Sequence, residues 1–224
     1  MKTKTAVILA GIIIGLLFAA GIILYPSLPA RMDSHWDAQG AVNGTMPRFW
    51  GAFLMPIIAL LLVALLFAIP YIDPRRRNIE RFRGIYDSFV VVMVLFLAYL
   101  HGLTLAWNLG LRFSFLPWFL PAMALLFWYL GHLVGEAQPN WFIGIRTPWT
   151  LSSDDVWRKT HALGAKLFKL TAIVTLVGVL VPALAFLFLL VPVLATALFL
   201  VVYSYVLYRK EERTKRPETR KKKK

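Results

Sequence analysis

The sequence predicts an all-α polytopic membrane protein: six transmembrane helices, both termini in the cytoplasm, and a short amphipathic cytoplasmic helix before the fifth span. Three observations predict it. Long apolar runs fill most of the 224 residues, and hydrophobic residues make up 59% of the chain. Mean hydropathy is +0.66, which in a soluble domain would mean far too much exposed apolar surface. The Arg/Lys-rich breaks between the runs fall on alternate sides.

A bilayer core about 30 Å thick takes roughly 20 helical residues to cross. The runs place spans at residues 5–25, 51–72, 88–108, 115–134, 167–186 and 192–208. The last two form one apolar stretch too long for a single crossing, so a tight turn is expected at 187–191, just before Pro192. The first run is read as a retained span, because Leu28 stands where signal-peptide cleavage needs a small residue. The chain divides into a three-span half (1–112), a second three-span half (113–208) and a basic tail (209–224).

Charge orients these spans. Lys2 and Lys4 precede the first, and Arg75, Arg76, Arg77, Arg81 and Arg83 separate the second from the third. Arg146, Arg158, Lys159 and Lys166 separate the fourth from the fifth, and ten basic residues follow Tyr208. The opposite loops carry only Arg31, Arg48 and Arg112. Under the positive-inside rule both termini are cytoplasmic. The net charge of +14 is thus a topology signal. The tail lacks interleaved aromatics, so no direct nucleic-acid partner is expected. It reads as a solvated stop signal, with attraction to anionic membrane lipids, at about 1 kcal/mol per residue, as the sharper alternative. The absence of cysteine excludes disulfides, thiol catalysis and thiolate metal sites.

Two loops carry recognisable chemistry. In the first outer loop His35 and Asp37 flank Trp36; in an extended chain the two polar side chains share one face. Asn43-Gly44 suits a tight hairpin turn, and Gly40 adds a second flexible point. The expectation is a small hairpin with Trp36 against the membrane. It is either a functional loop or a capping loop whose aromatic joins Trp50 and Trp118 in the interfacial belt. The second loop is cytoplasmic. Its later half reads as a helix, with Ser152 and Asp155 as a variant capping box and Asp154 and Asp155 at the positive helix end. Trp157, His161, Gly164 and Phe168 recur at helical spacing, with Arg158, Lys159 and Lys166 displaced around the cylinder, the pattern of a helix lying on the inner leaflet. Its earlier half, with Gly144, Arg146 and Pro148 among aromatics, is expected to be irregular. Arg146 there is a cation–π pin or an anion- or partner-binding group.

The run from Asn140 through Gly144, Arg146, Thr147, Trp149, Asp154 and Trp157 to His161 closely resembles the motif of SdpI-type membrane proteins, the immunity proteins for the sporulation-delaying-protein toxin. The outer block His35-Trp36-Asp37, Gly40, Asn43-Gly44 resembles that family too, as do Asp73-Pro74 and Gly110. The family more often has Asn at the place of Asp37 and Asp at that of Asn43, so the acidic group has moved within the hairpin. The resemblance implies a bacterial cytoplasmic-membrane protein that protects its cell from a secreted peptide toxin. It also implies signalling, in which the toxin-bound protein recruits a small winged-helix repressor. The outer residues would then sense toxin and the cytoplasmic ones would bind the regulator.

Polar groups inside spans are costly and mark candidate sites. His101, Thr104 and Asn108 form one stripe on the third span. It is read as inter-helix hydrogen bonding, or as the lining of a small cavity under the outer loop. His132 and Glu136 lie at i, i+4 near the end of the fourth, an interfacial pair rather than a metal site, since no established metal motif is present. Asp87 is expected to pair with nearby arginines. Two other functions are weighed. An intramembrane hydrolase lacks a nucleophile motif and a complete metal set, so neither enzyme activity nor a cofactor is expected. A transporter lacks an evident internal repeat and buried coupling charges.

Overall fold

The computed structural model describes the backbone of residues 1–221 and the side chains of residues 1–215. The last three lysines of the basic tail lie outside the described residues. Six helices are long and apolar enough to cross a membrane. They are α1 (Thr3–Leu24), α2 (Arg48–Ile72), α4 (Arg83–Asn108), α5 (Phe115–Glu136), α7 (Asp154–Val177) and α8 (Ala185–Lys221), with short helices α3 (Arg76–Glu80) and α6 (Pro148–Ser152) in connections. A two-stranded antiparallel hairpin, β1 (Arg31–Trp36) and β2 (Val42–Pro47), joins α1 to α2. Six such helices make this a multi-pass protein of the cell membrane.

The helices bury narrow stripes and leave the rest to lipid. In α1 the buried positions Ala6, Ala10, Ile14, Leu17 and Gly21 recur every three or four residues, and the helix packs on α4 and α2. The opposite face exposes Leu16 and Ile23, at 64% and 73% of their surface. That exposure is ordinary in a bilayer, where tails are as apolar as leucine. The main core gathers Ile14, Val63, Tyr86, Val90, Leu126 and Trp157. Tyr86 and Tyr129 satisfy their buried hydroxyls by donating to the carbonyls of Leu66 and Ile85, at 2.6 and 3.0 Å.

The polar connections collect at two ends of the bundle. At one end the N-terminal amine donates to Gly84 O at 2.9 Å, Arg75 meets Asp154 at 3.8 Å, and Ser153 donates to Glu211 at 2.6 Å. Asp87, fully buried, pairs with Arg83 at 2.9 Å as the sequence suggests, and also accepts from Thr3. The hairpin, the 109–114 connection and the α7–α8 turn lie at the other end. The start of α1 and the far end of α8 therefore share one end, as six crossings require.

Three local expectations change. The turn between the last two spans lies at 178–184, as two 3-10 turns, and not at 187–191. Pro182 opens the second turn, while Pro192 sits inside α8, where a spanning helix tolerates proline. The segment read as a separate surface helix is the first part of α7, which runs unbroken into the fifth span. Its cap is Ser153, whose hydroxyl accepts from Val156 N–H at 3.3 Å; Ser152 instead donates to Pro148 O at 2.7 Å. In the hairpin the reversal falls at 37–41, and Asn43 and Gly44 lie inside β2, where Gly44 pairs with His35 and Asn43 falls at a register shift. The Asp37 carboxylate supplies the reason. Its Oδ1 accepts from the N–H groups of Gln39 and Ala41, both at 2.9 Å, and Gly40 takes the positive φ of 81°.

Candidate functional site

The 137–161 segment folds into a compact knot built around two buried side chains. Asn140, fully buried, uses its whole hydrogen-bonding capacity. Its Oδ1 accepts from Phe142 N–H at 2.9 Å and Ile143 N–H at 2.6 Å, and its Nδ2 donates to Gln138 O and Ile143 O, both at 2.8 Å. His161 closes the other side. Its Nε2 accepts from Ile145 N–H at 3.0 Å, and Nδ1 donates to Trp157 O at 2.8 Å. These partners fix the neutral Nδ1–H tautomer. The ring stacks on Trp157 at 4.0 Å, and Trp157 Nε1 donates to Ala137 O at 2.8 Å. Gly144 passes directly over this imidazole with φ at 119°; a Cβ there would collide with Nε2.

The following residues tie the knot to the last helix. Thr147 caps α6 in a reciprocal box with Thr150, and its hydroxyl shares a hydrogen bond with Ser204 of α8 at 3.0 Å. Trp149 packs on Tyr205 at 5.0 Å. Asp73, buried at the end of α2, caps Arg75 N–H at 2.6 Å and Trp141 N–H at 2.9 Å, and Asn78 donates to Pro139 O at 2.7 Å. The α2–α4 connection thus clasps the knot. Arg146, read as a cation–π pin or an anion- or partner-binding group, forms no cation–π pair among the described residues; it donates to Trp141 O at 2.6 Å and stays exposed beside exposed Trp141 and Phe142. Asp154 is exposed and pairs only loosely with Arg75. Beside the knot opens a cleft of about 510 Å³, bordered by Asn78, Arg81, Trp157, Arg158 and His161.

At the opposite end the hairpin is held by a residue that sequence reasoning passed over, Asp33. Its backbone N–H and C=O pair with the Asn108 side chain at 2.8 and 2.9 Å. Its carboxylate accepts from Trp107 Nε1 at 2.8 Å and meets Arg112 at 3.4 Å. The usable sequence signal was the polar Asn108 at the end of a span, which needed a partner. Trp36 stacks flat on Phe115 at 4.0 Å and edge-on to Trp107 at 5.7 Å. His35 pairs with Asn43 across the strands, and Asp37 makes the turn, so these two are separated in role rather than joined as a pair.

The polar stripe also divides. Asn108 serves the hairpin, Thr104 donates to Leu100 O at 3.0 Å, and His101 is 1% exposed with Nε2 lacking a partner. Thr104 borders a second cleft, about 530 Å³, directly under the hairpin. His132 lies edge-on to Tyr129 at 5.8 Å, and no cluster of three or more His, Cys, Asp or Glu among the described residues is placed to hold a metal.

Residues 136–204, which hold the knot and α7 through most of α8, match the SdpI/YfhL protein family, and residues 12–60 match a domain of unknown function, DUF1648. The chain is 23% identical over 159 residues to the immunity protein SdpI of Bacillus subtilis (strain 168), covering 71% of this chain and 74% of that protein. No solved structure matches. The chain is thus similar to SdpI-type proteins through the knot, α7 and the first part of α8, and at lower identity over most of its length.

Proposed function

We propose that this protein is a membrane immunity protein that protects its cell from a secreted peptide toxin and reports the toxin to a cytoplasmic repressor. Similarity to an immunity protein over most of the chain supports the first part. The observation that carries the second is α8. Near its start Phe186 and Leu189 border the cleft under the hairpin, and farther along Ser204, Tyr205 and Glu211 hold the knot and α7. Leu189 and Ser204 stand fifteen residues apart on one helix, about 22 Å along its axis. In this reading the hairpin end faces outward and the knot faces the cytoplasm, in keeping with the basic residues around it.

The knot has the form of a docking platform. Asn140, Ile143, Thr147 and Thr150 are buried as its frame, while Trp141, Phe142 and Arg146 face out. Aromatic and arginine side chains of that kind are favoured anchors for a protein partner. A small winged-helix repressor is the partner the resemblance implies. Toxin drives its recruitment only by binding the recruiting conformation more tightly than the resting one.

The test is twofold. Cells carrying the chain should survive a toxin that kills cells without it. Purified protein in lipid discs should retain a co-encoded repressor more strongly when the toxin peptide is present. Equal retention with and without peptide removes the signalling role, and equal killing removes immunity.

A further inference from the structure

We propose that the cleft under the hairpin is the docking site for the apolar segment of a secreted amphipathic peptide that carries a basic residue, and that Asp37 receives that residue. This deepens the immunity reading and rests on it. The cleft, about 530 Å³, is within the size of small-ligand pockets. Its walls are apolar: Leu100, Leu116, Phe119, Phe186 and Leu189, drawn from α4, α5 and α8, so both halves of the chain contribute. Its roof is polar and belongs to the hairpin.

Two groups in that roof are left over from the fold. Asp37 spends Oδ1 on the turn, while Oδ2 makes no hydrogen bond or salt bridge among the described residues. The indole Nε1 of Trp36 is buried without an acceptor, although its ring is fixed on Phe115. A buried donor calls for an acceptor, which a backbone carbonyl supplies. A phosphatidylglycerol would fill the walls with its tails and offer an ester carbonyl to the indole, but it brings no cation to the carboxylate. A peptide answers all three: side chains for the walls, a backbone carbonyl for the indole, and a lysine or arginine for the carboxylate. A peptide partitioned into the outer interface arrives at this depth.

The probe is a synthetic leucine/alanine peptide with one photoreactive leucine and one terminal lysine, added to the full-length protein in phosphatidylglycerol/phosphatidylethanolamine discs. Cross-links should concentrate on Leu116, Phe119, Phe186 and Leu189, and either Leu116→Trp or Leu189→Trp, which fill the cleft from different helices, should abolish them. Asp37→Asn keeps the turn acceptor and should weaken the lysine probe by up to about fivefold, the range of a partly exposed ion pair, without changing a norleucine-ended probe. Cross-links spread evenly over the lipid-facing Leu61, Leu65 and Leu198 overturn the proposal. So does a photoreactive phosphatidylethanolamine, whose ammonium and ester carbonyls could answer both groups, if it labels the cleft and resists displacement by the peptide. Full toxin protection in both tryptophan variants also overturns it while leaving immunity standing. Intact cleft labelling with no protection by the wild-type chain instead defeats the immunity reading and leaves the site.

Discussion

The Asp73 carboxylate caps the backbone of Trp141, 68 residues further along the chain, with Oδ2 accepting from its N–H at 2.9 Å. The other oxygen caps Arg75 at 2.6 Å. One buried acid therefore holds the α2–α4 connection and the knot together, which puts the Asp73-Pro74 block and the longer motif in a single structure. Asp73→Ala should expose two unpaired donors and cost roughly 1–3 kcal/mol each before relaxation. The melting temperature in detergent should fall, and proteolysis within 139–147 should rise. Asp73→Asn offers one acceptor in place of two and should fall between.

Gly144 and His161 form a second pair whose coupling can be measured. Gly144→Ala meets both a positive φ and the imidazole, so it should cost at least about 1–3 kcal/mol. His161→Gly removes the collision but not the backbone strain, and it orphans Ile145 N–H. The double variant should be less destabilised than the sum of the single ones. Additivity in thermal melts would show that the ring and the glycine do not touch.

At the other end, Asn108→Ala leaves Asp33 N–H and C=O without their side-chain partner. The hairpin should loosen from α4, and labelling of a cysteine at Ser34 should speed up. Trp107→Phe, which removes only the indole donor to Asp33, should produce the smaller change.

Because the chain has no cysteine, single-cysteine labelling reads topology without background. Gln39→Cys should react with an impermeant maleimide on intact cells, and Asp154→Cys only after permeabilisation. Reaction of both on intact cells would put hairpin and knot on one side and remove the orientation proposed above.

The seam between α7 and α8 is stitched by hydroxyls, with Thr171 bonded to Thr196 at 2.9 Å. A double-mutant cycle to valine should give a coupling of about 0.6 kcal/mol, typical of such bonds in membranes.

Hydropathy made the six spans legible because each is a contiguous property of the chain. The start of the fifth was misplaced for a physical reason. Lys166 looks like a boundary, yet α7 begins at Asp154 and carries Lys166 along its length, as it carries Lys169, which lies over the Trp128 ring at 5.7 Å. The late turn was drawn to Pro192, whereas Gly178 and Pro182 made it. Asn43-Gly44 suggested the hairpin reversal, but the Asp37 carboxylate outcompeted it by pairing two N–H groups. In the knot, Asn140, Gly144, Thr147, Trp157 and His161 could be picked out because they stand in one contiguous run that resembles a family motif. Asp33 and the reach of Asp73 could not, since each matters only through a partner some seventy residues away.

The knot separates what carries weight from what is shown. Replacing Asn140 or Gly144 breaks the scaffold, but Trp141, Phe142 and Arg146 project from it and bear little of its load. Such a loop allows its outward side chains to be replaced while its shape stays constant. Under the docking role proposed above, exchanging those three outward side chains would redirect which protein the knot engages, with spans, hairpin and seam untouched.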